Sequence, residues 1–166
     1  MEIRKAKKED VKDIQKLRYL LAKYEKDLGL NIVIPEWAYT DVGEKDFNYF
    51  LNEQYIFVAI EDNKIVGFIT GEIFKKKAWY NVQLGEINNI FVLEEYRQKG
   101  IGKKLVKTMI DTFKQEGITN IDLYTFGNNI DAIKFYEKIG FKKYNVQMLY
   151  EKDNISRRKN ETSSNI

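Results

Sequence analysis

The chain has no histidine, no cysteine and a single proline in its 166 residues. The first two absences exclude whole classes of chemistry. Disulfides, thiolate nucleophiles, Cys/His zinc centres and any Ser-His-Asp or Cys-His relay require residues that are not there. An acid–base enzyme of this composition works with Asp, Glu, Tyr, Lys, a main-chain group or water. There is also no run of about 18 apolar residues and no basic-then-apolar leader, so neither a membrane span nor a secretory signal is expected. The expectation is a soluble, cytoplasmic protein with no membrane partner and no metal. Charge of one sign is not in excess either. The net charge of +3 neither demands nor excludes a nucleic-acid partner, and none is expected.

What is present is ample material for one packed domain. Hydrophobic residues make up 43% of the chain and aromatics 14%, and at this length about two-thirds of the unfolded surface is buried on folding. Residues 1 to 6 suit a first strand around Ile3. From Glu9 or Asp10, Val11, Ile14, Leu17, Leu21 and Leu28 recur at helical spacing and stop near Gly29. A looser segment with Pro35 follows, then a short helix from Glu44 to Asn52 presenting Phe47, Phe50 and Leu51. Tyr55–Ile60 and Ile65–Phe74 read as a hairpin turning at Asp62-Asn63, ended by an exposed Lys75-Lys76-Lys77 loop. A strand over 84–92, a glycine loop and a helix to about Gly117 come next. A strand from Ile121 to Phe126, a helix from Asn129 or Ile130 to Ile139, and a closing strand from Phe141 to Tyr150 complete the order. The composition then turns polar, so 152–166 is expected to be a disordered tail after a domain spanning 1–151. Such an order suits a mixed α/β sheet covered by helices on both faces.

The stretch from Gly85 to Lys104 is the centre of this arrangement. Ile87, Ile90, Phe91 and Val92 supply a buried strand. Leu93-Glu94-Glu95-Tyr96 breaks it, and Arg97-Gln98-Lys99-Gly100-Ile101-Gly102 leads into a helix marked by Ile101, Leu105, Met109 and Phe113. A glycine loop opening a helix gathers unpaired N–H groups at the positive end of the macrodipole, and so suits a diphosphate. It is not a G-x-x-x-x-G-K-[ST] loop, and the dinucleotide fingerprint fails because position 105 is Leu. The alternative is a tight strand-to-helix connection with basic decoration.

The R-x-x-G-x-G loop after a strand resembles the acetyl-CoA pyrophosphate loop of the GNAT superfamily of N-acetyltransferases. A second stretch, Asn129 through Ala132, Phe135-Tyr136 and Lys138 to Gly140-Phe141, resembles that family's C-terminal signature. The resemblance covers roughly residues 2 to 150. It implies a GNAT-like mixed, mostly antiparallel central sheet of six to seven strands flanked by helices on both faces. It also implies acetyl-CoA as co-substrate and transfer of its acetyl group to a primary amine in a ternary complex. Without cysteine, an acetyl-cysteine intermediate is impossible.

Residue roles follow from the same resemblance. Glu86, near the start of the central strand, is the candidate base; strand alternation puts Asn88 on its face. The alternative for Glu86 is an exposed strand-entrance carboxylate. Ile90, Phe91 and Val92 match the segment that pairs with the pantetheine arm, where a main-chain N–H faces the thioester oxygen as an oxyanion site. Arg97, Gln98, Lys99, Gly100, Ile101, Gly102 and Lys103 form the diphosphate loop, by main chain or by charge-assisted side-chain contacts. Tyr136 is the candidate acid for the departing thiolate and a cofactor contact, against a packing aromatic as the alternative. Asn129 is a cofactor contact or simply a helix N-cap.

The acceptor side is expected within residues 24 to 53, which hold seven acids against two lysines, a net −5, with Trp37 and Tyr39 among them. That suits a cationic amine, small or protein-borne, or is an ordinary solvated surface. Dimers are common among resembling proteins, so a homodimer is open. The rival reading is a non-catalytic acyl-CoA-binding module that regulates a partner through Arg157, Arg158 and Lys159.

Overall fold

The computed structural model describes residues 1–30, 32–75 and 83–148. Lys76, Lys77 and the tail expected at 152–166 lie outside the described residues. The chain divides into two compact units, Met1–Ile133 and Lys134–Ile166.

In the first unit, strand β1 (Glu2–Lys5) is followed by helix α1 (Val11–Asp27), a 3-10 turn at Pro35–Tyr39 and helix α2 (Asp41–Asn52). Strands β2 (Tyr55–Glu61), β3 (Lys64–Lys75) and β4 (Gln83–Val92) come next, then helix α3 (Ile101–Gln115) and strand β5 (Asn120–Leu123); helix α4 (Ile130–Ile139) begins in this unit and continues into the second. The α1 periodicity is realised, with Ile14 and Leu17 buried and Gly29 adopting a φ of +95° after the helix end. The β2–β3 turn is a two-residue loop in which Asp62 and Asn63 both have positive φ, the type I′ geometry that matches strand twist.

Five strands pair in the order β1-β2-β3-β4-β5, antiparallel except for the parallel β4–β5 pair. The expected mixed, mostly antiparallel sheet is therefore present. The expected count of six to seven strands is corrected to five among the described residues. The segment from Phe141 to Tyr150, read as the closing strand, carries no strand from 141 to 148. Its alternating apolar side chains are exposed there, Val146 and Met148 each to 90%. Alternation records fitness for a pleated, half-buried surface, and it forms a strand only where cross-strand neighbours supply one.

The fifth strand also stops earlier than its sequence suggests, at Leu123 rather than Phe126. The cause lies in β4. Thr70 pairs with Asn89 and Gly71 with Ile87, so Asn88 is an extra residue, a β-bulge. Pairing of β4 with β5 runs from Leu84 to Ile87 and ends immediately before that bulge.

One sheet face carries α1 and α2. Ile14, Leu17, Phe47 and Phe50 form a cluster there with Ile56, Val58, Phe68 and Phe91. The other face carries α3, whose Met109 and Phe113 lie against Gly71 and Gly85 so closely that a side chain at either glycine would clash.

Candidate active site

The glycine loop follows a 3-10 turn at Glu94–Tyr96. Gln98 and Gly100 both take left-handed backbone, with φ of +61° and +78°. Gly100 is the N-cap of α3 and no side chain caps that end. The first intrahelical bond is from Lys104 N–H to the Gly100 oxygen at 3.1 Å. The N–H groups of Ile101, Gly102 and Lys103 are thus the ones the helix cannot satisfy. The first turn holds no acid that would compete with an anion, and a Cβ placed at Gly100 would meet nothing within 4 Å. Main chain, open space and dipole all fit a diphosphate here.

The loop's cationic side chains are mostly engaged elsewhere. Arg97 Nε donates to the main-chain oxygen of Val92 at 3.0 Å, and its guanidinium lies over the rings of Tyr24 (5.5 Å) and Phe91 (5.4 Å). Lys99 Nζ sits 4.8 Å from the Tyr96 ring. Of the two alternatives left open for this loop, the geometry favours a cradle of main-chain groups, with Gln98 and Lys103 exposed beside it.

The bulge at Asn88 shapes the strand that the loop follows. Leu93 N–H donates to the Val66 oxygen of β3, so by alternation the N–H groups of Val92 and Ile90 point to the opposite edge. That is the edge along which β5 pairing has already ended at Ile87. Phe91 faces its main chain to β3 and its ring to the α1/α2 cluster. The exposed main-chain donors of the segment therefore belong to Ile90 and Val92 rather than to Phe91.

Glu86 is half-buried and stands directly across from Glu72 of β3. Asn88 Nδ2 donates to Glu72 Oε1 at 2.7 Å and reaches Glu86 Oε1 at 3.4 Å. Simple alternation thus pairs Glu86 and Asn88 correctly, and the bulge adds Asn89, whose Nδ2 donates to Thr70 Oγ1 on the same face. Tyr49 of α2 donates its hydroxyl to Glu72 Oε2 at 2.8 Å. Burial and the Glu72 carboxylate push the Tyr49 phenol up to about 12. Asn88 Oδ1 is buried and has no hydrogen-bond donor among the described residues. Sequence reasoning missed Glu72 and Tyr49. Glu72 had a signal, its place in the strand paired to the candidate base, but the register needed to read it is tertiary.

Asn129 is a helix cap, as one of its two readings held: its Oδ1 accepts from Ala132 N–H at 3.2 Å, and also from the Tyr24 hydroxyl at 3.3 Å. Trp37, considered for a cationic acceptor, already receives the protein's own cation. The buried Arg18 guanidinium lies 5.6 Å from its ring and pairs with Asp46. Burial lowers the Arg18 pKa against the opposing pull of Asp46.

In the second unit, Tyr136 is buried and packs edge-on against Phe135 and Phe141, with centroids at 5.2 and 5.9 Å. Burial pushes its phenol up to about 12. Gly140, at φ +113°, closes the helix onto the Tyr136 main-chain oxygen. Among the described residues no group of His, Cys, Asp and Glu is disposed to hold a metal, and no helix is long and apolar enough to cross a membrane.

Comparison with known proteins meets this geometry. The model of the acetyltransferase (GNAT) family matches residues 14–141. The chain is 39% identical over 103 residues to an N-alpha-acetyltransferase of Saccharolobus solfataricus, covering 58% of this chain and 62% of that one. It is 32% identical over 101 residues to N-alpha-acetyltransferase 30 of Schizosaccharomyces pombe, covering 59% and 65%. It thus spans less than two thirds of either relative. An uncharacterized N-acetyltransferase of Archaeoglobus fulgidus is similar over more of its length, 31% identical over 146 residues, 82% of this chain and 89% of that one. Among solved structures, a tetramutant of the BH1408 protein of Bacillus halodurans aligns with a TM-score of 0.80 at 19% identity, over 91% of this chain and 99% of that one. The aminoglycoside N-acetyltransferase AAC(6')-Iy in complex with CoA aligns with a TM-score of 0.73 at 21% identity, over 91% and 93%. These two likenesses concern the fold. The family model spans the glycine loop, the bulged strand and the Asn129–Phe141 stretch alike, and the chain belongs to the GNAT acetyltransferase family.

Proposed function

We propose that this protein transfers the acetyl group of acetyl-CoA to a primary amine by direct attack in a ternary complex. The observation that carries the reading is the uncapped start of α3 at Gly100, beside a strand whose outer edge is left open beyond the Asn88 bulge. The thioester supplies the activated acyl carbon. The chain's part is to hold the diphosphate on the N–H groups of Ile101, Gly102 and Lys103, and to lay the amide-bearing arm along Ile90–Val92. Positioning of this kind is worth on the order of 7–11 kcal/mol at best. A main-chain N–H of that strand would receive the oxyanion, a contribution of about 3–4 kcal/mol in acyl transfer.

The base in this reading is Glu86, directly or through water, with Asn88 and Glu72 beside it. Tyr136 is the acid for the leaving thiolate; its raised pKa keeps it protonated throughout the neutral range. A lysine-like acceptor needs about 4.6 kcal/mol to be neutral at pH 7, whereas a peptide α-amine needs only about 1. The sequence relatives named as N-alpha-acetyltransferases support an α-amine acceptor; the aminoglycoside enzymes share the fold at lower identity. A thiol-release assay with acetyl-CoA over N-terminal peptides, lysine peptides, polyamines and aminoglycosides tests this. Turnover with at least one amine is expected, foremost an N-terminal peptide. Tight CoA binding with silence across the whole panel would instead leave a non-catalytic acyl-CoA-binding module.

A further inference from the structure

Tyr24 belongs to no motif, yet it touches both flanks of the candidate cofactor cradle. It is half-buried near the C-terminal end of α1. The Arg97 guanidinium lies over its ring at 5.5 Å while Arg97 Nε holds the Val92 oxygen at 3.0 Å. Its hydroxyl donates to Asn129 Oδ1 at 3.3 Å, the oxygen that also accepts from Ala132 N–H at 3.2 Å. A main-chain N–H can only donate, so the Asn129 atom facing Ala132 is oxygen and the amide's orientation is settled. Both donors converge on Oδ1, which leaves Nδ2 as the amide's outward donor. Among the described residues nothing accepts from it.

We propose that Tyr24 is a positioning residue for the cofactor, its ring setting the Arg97 end of the loop and its hydroxyl setting the Asn129 amide. The inference rests on the acetyl-CoA reading above and deepens it. An arginine loses considerable rotamer freedom when ordered, and a ring face that orders it beforehand lowers that loss at binding. An asparagine with its oxygen tied twice holds its amide NH2 in one fixed orientation. A tie from Asn128 Nδ2 to the Leu28 main-chain oxygen joins the end of α1 to the same loop. Loss of the Tyr24 hydroxyl therefore leaves the loop attached, and a change in cofactor affinity would not be a change in fold.

Titration calorimetry with CoA tests this on the wild-type protein, Tyr24→Phe, Tyr24→Leu, Asn129→Ala and the Tyr24→Phe/Asn129→Ala double variant. Tyr24→Phe keeps the ring and is expected to weaken CoA roughly three- to tenfold, the size of one hydrogen bond. Where turnover is measured, the change falls on the KM for acetyl-CoA rather than on kcat. On the Asn129→Ala background the same substitution should cost nothing further, since its target is gone. Tyr24→Leu should lose more than Tyr24→Phe, and the excess should vanish when Arg97 is Ala. Wild-type affinity in Tyr24→Phe, or full additivity with Asn129→Ala, overturns the role of Tyr24 while leaving the acetyl-CoA reading intact. No CoA binding by the wild-type protein overturns both.

Discussion

Asp10 accepts three hydrogen bonds on one carboxylate: Arg4 Nη1 at 2.7 Å and Nη2 at 3.0 Å, and Lys7 N–H at 2.7 Å. The Arg4 bond holds its pKa below the ordinary Asp value in spite of burial. A depressed carboxylate contributes stability above its unfolded pKa and loses it as pH falls through the folded value. Asp10→Asn is therefore expected to destabilise the protein by about 2 kcal/mol at neutral pH. The difference should shrink below pH 4, and urea melts across pH 3–7 would check it. A deficit equal at all pH values would show that the charge is not what matters. Tyr136 runs the other way. Raised from 10 to about 12 by burial, its neutral form stabilises the fold fully below pH 10 and that contribution is lost between pH 10 and 12. In the proposed reaction, Tyr136→Phe should lower kcat by roughly 100-fold with little change in the KM for acetyl-CoA. An unchanged kcat would remove the acid role. The candidacy of Tyr136 was legible from its motif and residue type. The pairings of Arg4 with Asp10 and of Glu72 with Tyr49 were not, because contacts across strands and helices leave no local pattern.

At the scale of elements, glycines at three positions do two different things. Gly71 and Gly85 sit beneath α3, where an added Cβ would lie 2.8 Å from Met109 Sδ and 2.5 Å from the Phe113 ring respectively. Gly85→Ala should push the Phe113 end of that helix outward and destabilise by about 1–3 kcal/mol, seen as a lower Tm. Gly100 has open space instead, but its φ of +78° penalises any other residue. Gly100→Ala should cost about 1 kcal/mol in stability, while the larger Gly100→Leu should also weaken CoA binding in titration. Normal CoA affinity in Gly100→Leu would count against the loop assignment. The loop, the hairpin and the four α-helices of the described residues were legible from spacing and turn residues, although α2 starts at Asp41 rather than Glu44 and the 3-10 turn at Pro35–Tyr39 was read only as a looser segment. The bulge at Asn88 was not, since only the register of β3 against β4 reveals the extra residue, and with it the early end of β5.

At the scale of the molecule, a ligand that binds only the folded state raises its stability by mass action. Acetyl-CoA at about 100 times its Kd should add roughly 2.7 kcal/mol and raise Tm by several degrees in a thermal scan. The absence of any shift would argue against a preformed site. Residues 24–53 carry a net −5 on a chain of +3. If that face receives a cationic acceptor, the acceptor's KM should rise between 50 and 500 mM salt while kcat changes little. A KM indifferent to salt would mean that the acids are only solvated surface.

Composition and spacing by themselves determined the excluded chemistries, the mixed α/β class, the place of the candidate anion-binding loop and the family resemblance, because these depend on which residues exist and on short-range periodicity. Tertiary structure alone decided which carboxylate stands opposite Glu86, which main-chain donors face the open edge of β4, and where the Arg97 and Trp37 side chains are already engaged. It also decided that residues 141–148 form no strand. Each of these turns on contacts between segments far apart in the chain, where register and packing choose among partners that local sequence leaves equivalent.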